Sequence, residues 1–151
     1  MTLVVDSSVA VKWYVPEDLT EAAIKFKEWA VVGGHRLYAP EYFLVEVAAV
    51  LWKKAGILKQ ISVDEAGEIF REMGGAGVNL AEDRILLEDA LGIALASGVT
   101  VYDSLYLSLA GKTGTCFVTA DTKLQRKCAS KFRIVNLHNW EKDLKRTGKD
   151  G

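Results

Sequence analysis

The chain has 151 residues, half of them hydrophobic and 26% charged, and it carries a formal net charge of −1 at pH 7. This length suits a single domain with its own core, and the balanced charge excludes an overall basic surface of the kind that binds nucleic acid non-specifically. No apolar run reaches the ~20 residues that a membrane-spanning helix needs, and the N-terminus lacks the pattern of a secretion signal. We therefore expect a cytoplasmic protein without membrane contact.

Short apolar and β-branched runs alternate with helical patterns along the chain. The runs predict strands at residues 2–5, 36–39, 78–80, 116–119 and 133–135, with a short extended piece at 99–101. Helical spacing, caps and glycine stops predict helices between these strands. Such alternation favours a parallel sheet that is covered by helices on both faces. The predicted domain spans residues 1–146, and residues 147–151 are expected to form a loose tail.

Local signals predict several helix boundaries. Pro40 suits the first position of a helix, because its missing N–H would be unpaired there, and Gly56 is predicted to cap the same helix in the left-handed conformation. A long helix is predicted to begin at residues 82–83 and to end at Gly98. Asp103 is predicted to open the next helix.

One carboxylate interrupts the most apolar of these helices. Residues 42–52 are hydrophobic apart from Glu46, so this helix is expected to be covered on most faces. A carboxylate taken out of water must meet a cation, a metal ion or a set of hydrogen-bond donors. Glu46 is therefore either a structural or snorkelling side chain or a metal ligand.

Three aspartates lie where strands give way to helices. Asp6 follows the first strand, Asp121 follows the strand at 116–119, and Asp103 follows the extended piece at 99–101. Taken singly, each is a candidate helix N-cap. Because ligands bind at the carboxyl ends of parallel strands, the aspartates are also candidates for one shared edge. Four unmatched acids there, with Glu46, would repel one another, and a hard divalent cation such as Mg²⁺ or Mn²⁺ would relieve the conflict.

The four acids lie in motifs that resemble those of a known family. The motifs are residues 4–13 (VVDSSVAVKW), 46–51 (EVAAVL), 102–110 (YDSLYLSLA) and 118–124 (VTADTKL). In order and approximate spacing they are similar to the four acidic motifs of PIN domains, especially the VapC-type toxins. The resemblance covers nearly the whole chain.

The resemblance implies a fold, a reaction and a set of site residues. It implies a three-layer α/β/α sandwich with a short-stranded central parallel sheet, and a nuclease that depends on Mg²⁺ or Mn²⁺. The acids Asp6, Glu46, Asp103 and Asp121 would be both catalytic residues and metal ligands. The hydroxyls of Ser7 and Thr119 would hold those carboxylates or a water in place.

The same resemblance implies a substrate and partners. Single-stranded RNA is the expected substrate, and a small antitoxin protein and a second copy of the chain are the expected partners. The stretch after Asp121 is rich in Lys and Arg, so it is either a phosphate-binding surface or an ordinary solvated face. The residues that we consider for RNA contacts are Lys12, Lys53, Lys123, Arg126 and Lys127.

Other interpretations remain open from the sequence. The chain resembles equally a PIN ribonuclease that processes RNA without being a toxin, and a catalytically idle PIN-like module would bind RNA or a partner only. A phosphatase of the haloacid dehalogenase type needs an aspartate two residues after Asp6, where Ser8 stands. A phospho-receiver domain needs paired acids there, and the chain has one. Cys116 and Cys128 lack the spacing of a zinc site and are expected to be core residues, with a disulfide as the alternative.

Overall fold

The computed structural model of the chain describes residues 1–147. Of the tail that the sequence predicts, residues 148–151 lie outside the described residues. Five strands form the sheet in this part of the chain: β1 (Thr2–Val5), β2 (Arg36–Pro40), β3 (Val78–Ala81), β4 (Cys116–Thr119) and β5 (Ile134–Asn136). The α-helices described are α1 (Ser7–Ala10), α2 (Thr20–Val32), α3 (Tyr42–Trp52), α4 (Val63–Gly74), α5 (Leu87–Ser97), α6 (Val101–Thr113), α7 (Thr122–Cys128) and α8 (Trp140–Thr147).

All strand pairs in the sheet are parallel, and the strand order is β3-β2-β1-β4-β5. The chain builds outward from β1 to β3 and then crosses back to place β4 on the other side of β1. The strand order therefore reverses between β1 and β4, where Val4 lies beside Phe117. A crevice for ligands opens at the carboxyl ends of the strands at such a point.

The sheet separates two hydrophobic cores, because side chains alternate between its faces along each strand. On one face Val4 and Phe117 pack with residues of α3, α6 and α7. On the other face Leu3 and Val118 pack with residues of α2 and α8. The three-layer α/β/α fold with a central parallel sheet is thus confirmed. Within residues 1–147 no single helix is long and apolar enough to cross a membrane. The helices α5 and α6 reach that length and apolar composition only when taken together, and they are bent by 112° relative to each other.

Several predicted boundaries were wrong. Pro40 ends β2 and is buried, so α3 begins only at Tyr42. Gly56 does not cap this helix, because the chain continues through a π-helical turn at Lys53–Ile57. The long helix expected from residue 82 is divided into a 3₁₀ turn at Asp83–Ile85 and α5. The extended piece expected at residues 99–101 is shorter than predicted, and Asp103 does not open the next helix, since α6 already begins at Val101.

The α3 helix is less covered than its composition suggested. Only Phe43, Val47 and Leu51 are buried, along one side of the helix. Val45 and Trp52 are exposed, Trp52 by 66%. The apolar residues of α3 therefore pack into the core on one side of the helix and form a solvent-exposed apolar stripe on the other.

Candidate active site

Asp6 lies at the carboxyl end of β1, beside β4, and is only 7% exposed. Its backbone N–H donates to Val118 O at 2.9 Å, which extends the pairing of β1 with β4 by one residue. Asp6 occupies the N-cap position of α1, but its side chain caps no backbone N–H. The short hydrogen bonds to this carboxylate come from side-chain hydroxyls.

Two hydroxyls hold the Asp6 carboxylate. Thr119 Oγ1 and Ser8 Oγ each donate to Asp6 Oδ2 at 2.7 Å. Each hydroxyl also accepts a backbone N–H, from Asp121 at 3.0 Å and from Ala120 at 3.1 Å. Since the oxygens are engaged as acceptors, the single proton of each hydroxyl is aimed at the carboxylate. Asp6 is thus fixed by a network that ties β1, α1 and the β4–α7 connection together.

The hydrogen bonds to Asp6 are unequal on its two oxygens. Oδ2 receives both short bonds, whereas Oδ1 receives only a long contact of 3.4 Å from Ser7 Oγ. Burial raises the pKa of Asp6, the bonds from Thr119 and Ser8 oppose that rise, and the charge of Asp121 adds to it. Within residues 1–147, the short side-chain bonds therefore engage one oxygen of this buried carboxylate and not the other.

Glu46 reaches the same region from α3. The phenol of Tyr106, which is buried in α6 and stacked on Phe117, donates to Glu46 Oε1 at 2.5 Å. The pKa of Glu46 is raised to about 7, mainly by burial and also by the charges of Asp6 and Asp103, while the bond from Tyr106 opposes that rise. Within residues 1–147 no salt bridge includes Glu46, and this half-buried carboxylate lies close enough to Asp6 and Asp103 for their charges to act on it.

Asp103 lies in the first turn of α6 and is half-buried. Thr100, not Asp103, caps the helix, because Thr100 Oγ1 accepts the backbone N–H of Asp103 at 3.1 Å. Burial raises the pKa of Asp103, and the charges of Asp6 and Asp121 add to that effect, while Lys127 lowers it. A hydrogen bond from the Thr100 side chain also lowers the pKa of Asp103, so its carboxylate lies between that hydroxyl and the charges of Asp6 and Asp121.

Asp121 has two roles in the local structure. Its Oδ1 accepts the backbone N–H groups of Lys123 and Leu124 at 2.9 and 3.0 Å, so it caps α7 as the sequence predicted. Its charge also acts on Asp6 and Asp103. Both cap bonds go to Oδ1, and the second oxygen of the carboxylate takes no part in the cap.

Together the four acids form a negative cluster at the edge where the strand order reverses. None of the salt bridges found within residues 1–147 includes any of them. The four carboxylates offer the hard oxygen donors that Mg²⁺ and Mn²⁺ prefer. In the described part of the chain, however, no three His, Cys, Asp or Glu side chains form a ready-made ligand set for one ion. The donor chemistry fits a divalent cation that keeps several of its waters, as Mg²⁺ usually does.

Cavity volume does not locate this site. Among the described residues, a cavity of about 670 Å³ lies between α2 and α8, where Trp29 and Trp140 line it, and it contains none of the four acids. The site is marked instead by the mutual charges of the four acids and by the hydrogen bonds that hold Asp6 and Glu46.

The basic residues considered for RNA contacts occupy two places. Lys123, Arg126 and Lys127 are exposed on α7, directly after Asp121. Lys12 and Lys53 line a cavity of about 350 Å³ whose wall includes Ser7 and Ser8. Lys12 is already bound to Glu17 at 3.0 Å, and Glu17 also holds Lys54 at 2.8 Å. Lys12 is therefore a partly neutralised cation, whereas Lys53 is exposed.

Two site residues were missed by the sequence analysis. Ser8 holds Asp6 with a shorter bond than the Ser7 that was predicted, and Tyr106 holds Glu46. The signal for Ser8 was a second serine in the first motif. Tyr106 follows Asp103 by three residues on the same helix, but it could not be distinguished from an ordinary core aromatic.

Comparison with known proteins agrees with this arrangement. The family model of the PIN domain matches residues 3–130, a span that includes all four acids. The chain is a PIN domain. It is also 37% identical over 131 residues to Ribonuclease VapC3 of Pyrobaculum aerophilum, an alignment that covers 84% of this chain and 95% of the relative. This PIN domain therefore belongs with the VapC type.

Solved structures share the fold at lower sequence identity. The crystal structure of PAE2754 from Pyrobaculum aerophilum aligns with a TM-score of 0.65 at 24% identity, covering 84% of this chain and 79% of that one. The structure of VapBC2 from Rickettsia felis bound to a DNA fragment from their promoter aligns with a TM-score of 0.58 at 12% identity, covering 85% of this chain and 94% of that one. At these identities the two structures support the fold.

Proposed function

We propose that this PIN domain is a Mg²⁺- or Mn²⁺-dependent endoribonuclease that hydrolyses single-stranded RNA, and that it is the toxin of a toxin–antitoxin pair. The observation that carries the proposal is the cluster of Asp6, Glu46, Asp103 and Asp121 at the reversal point of the sheet, without a salt-bridge partner in the described chain. The name of the relative with 37% identity, a VapC ribonuclease, supports the reaction.

Different residues of the chain would have different roles in this reaction. A divalent cation at the cluster supplies an activated water and a counter-charge for the phosphate oxygens. Asp6 would hold it, fixed by Thr119 and Ser8, with Asp103 and Asp121 beside it. Glu46 would orient a water or hold a second ion, because it faces Asp6 and Asp103 from α3 and one of its oxygens accepts a hydrogen bond from the phenol of Tyr106. The exposed basic residues of α7 would bind flanking phosphates.

Cleavage of a labelled, mixed-sequence single-stranded RNA tests the proposed reaction. We expect cutting in Mn²⁺ or Mg²⁺, none in chelator, and none with Asp6→Asn in any condition. Asp64→Asn, an exposed acid in the first turn of α4, is the matched control and should cut like the wild type. Cutting that continues in chelator, or in Asp6→Asn, would contradict the proposal.

The toxin role has its own test. Expression of the wild type in a bacterial host should slow growth, because an endoribonuclease without its antitoxin degrades essential RNA. Asp6→Asn expressed at the same level should leave growth unchanged. Equal growth with both proteins, combined with RNA cleavage in vitro, would favour a PIN ribonuclease that is not a toxin.

A homodimer is part of the same proposal. Two helices present apolar stripes to solvent: α3 exposes Val45 and Trp52, and α5 exposes Leu91 and Leu95, the last by 79%. Exposed apolar stripes of this kind mark interaction surfaces. Light scattering should give twice the chain mass for the wild type and the chain mass for Leu95→Glu. A monomeric wild type would contradict the dimer and leave the nuclease proposal intact.

A further inference from the structure

Two tyrosine rings stack on each other beside the acidic cluster. The ring centroids of Tyr42 and Tyr102 are 4.9 Å apart and the rings are inclined by only 18°. Tyr42 is half-buried, whereas Tyr102 is 56% exposed despite this contact. One face of the Tyr102 ring is covered by Tyr42, and much of the remaining ring meets solvent.

The stack is joined to the two helices that supply partly buried acids. Tyr42 is the first residue of α3 and precedes Glu46 by four residues, so the two side chains lie on the same side of the helix. Tyr102 directly precedes Asp103 in the first turn of α6. The charges of Glu46 and Asp103 both act on the Tyr42 phenol. The pair therefore forms part of the rim of the cluster, within reach of a strand bound there.

Hydrogen bonds hold the backbone on which both stacked tyrosines are carried. The backbone N–H of Tyr42 donates to Asp83 Oδ1 at 3.1 Å, and the neighbouring N–H of Glu41 donates to Ala81 O at 2.9 Å. The first turn of α6, which carries Tyr102, is capped by Thr100. A rigid aromatic surface loses little conformational freedom when it binds a ligand.

An exposed aromatic ring at this place has a specific use in a nuclease. Single-stranded RNA exposes unstacked bases, and proteins bind such bases on aromatic side chains, largely independent of sequence. Resting on the proposed ribonuclease function, we propose that Tyr102, backed by Tyr42, is a stacking platform for one RNA base next to the bond that is cut.

Single-turnover cleavage with the full chain tests the platform. The half-saturating RNA concentration should rise roughly fivefold to one hundredfold for Tyr102→Ala, as expected for loss of one base stack, with a smaller change in the rate at saturation. Tyr102→Trp should restore tight binding, because a larger ring stacks at least as well. Phe70→Ala, which removes another partly exposed ring on α4, is the control and should bind RNA like the wild type.

RNA that lacks one base at a chosen position identifies which base stacks on Tyr102. After the cut has been mapped, one nucleotide at a time beside it is replaced by an abasic ribose. One abasic position should weaken binding to the wild type as much as Tyr102→Ala weakens binding to intact RNA, and the two changes together should add little. Fully additive losses at every position would overturn the platform.

The remaining outcomes distinguish failure of the stacking proposal from failure of the ribonuclease proposal. A wild type that cleaves RNA, with Tyr102→Ala unchanged in half-saturating concentration, overturns the platform alone. A wild type that neither binds nor cleaves RNA overturns the ribonuclease proposal and the platform with it. A change in mass by light scattering for Tyr102→Ala would assign the ring to a protein interface and would also overturn the platform.

Discussion

Tyr106 connects the buried core to the reactive cluster. Its ring packs on Phe117, and its phenol donates to Glu46. Tyr106→Phe keeps the ring and removes only the donor. Because that bond lowers the pKa of Glu46, its loss should raise this pKa further. We expect the pH at which cleavage reaches half its maximum to move upward, and we expect no movement for Tyr38→Phe, a partly buried tyrosine of β2. Identical pH profiles for wild type and Tyr106→Phe would contradict the role of this bond.

Glu46 should make the metal-free protein less stable as pH rises. Its pKa of about 7 in the folded chain lies above the ordinary value of 4.5. The folded state therefore holds the proton more strongly than the unfolded state, and its stabilising effect is complete below about pH 4.5 and lost as pH rises through about 7. Burial raises the pKa of Asp6 and Asp103 as well, so these groups act in the same direction.

Glu46→Gln isolates the contribution of this one group. In chelator, the melting temperature of the wild type should fall relative to that of Glu46→Gln between about pH 5 and about pH 8, because glutamine does not titrate. Thermal melts of both proteins across this range measure the difference. A difference in melting temperature that stays constant with pH would show that Glu46 has an ordinary pKa.

At the scale of the element, Asp121 caps α7 and also adds negative charge to the acidic cluster, and two substitutions separate these roles. Asp121→Asn keeps an oxygen for the N–H groups of Lys123 and Leu124, whereas Asp121→Ala removes it. Denaturant unfolding should show a loss of about 0.5–2 kcal/mol for the alanine variant and much less for the asparagine variant. Both should lose metal-dependent cleavage, because both remove the charge. Full cleavage by Asp121→Asn would assign Asp121 to the cap alone.

The helix ends also show what the sequence could predict. All three aspartates occupy first turns or cap positions, but only Asp121 caps its helix with its side chain. Thr100 caps α6 in place of Asp103, and Asp6 is drawn to hydroxyls from β4 and α1. Local propensity could identify the acids as cap candidates. It could not predict which of these side chains caps its helix in the folded protein and which of them contact other groups instead.

The strand pattern predicted more of the fold than the helix boundaries did. All five strands lie within a residue or two of their predicted positions, because short β-branched runs are distinct signals in a parallel sheet. Pro40 and Gly56 were misassigned because their propensities are satisfied in two ways: a proline also ends a strand, and a glycine also fits a π-helical turn. Tyr106 acts on Glu46 from 60 residues away, which a single sequence does not reveal. Ser8 lies only two residues from Asp6, but its oxygen is oriented by the backbone N–H of Ala120, which is 112 residues away.

For the whole molecule, the strand order accounts for the position of the site. Reversal between β1 and β4 brings Asp6 and Thr119 together from positions 113 residues apart. The helices α3 and α6, which pack on the same face of the sheet, then carry Glu46 and Asp103 to the same edge. The acids repel one another there, so the arrangement costs stability until a cation or protons neutralise it.

Calorimetric titration of the metal-free protein with Mn²⁺ tests most directly whether the acidic cluster binds a divalent cation. We predict saturable binding by the wild type, tighter as pH rises through about 7 because carboxylates must lose protons to bind a metal. Asp6→Asn should abolish the binding, and Asp64→Asn should preserve it. A wild type that takes up no Mn²⁺ at millimolar concentration, or an Asp6→Asn variant that binds as the wild type does, would contradict a divalent-cation site centred on Asp6 in this acidic cluster.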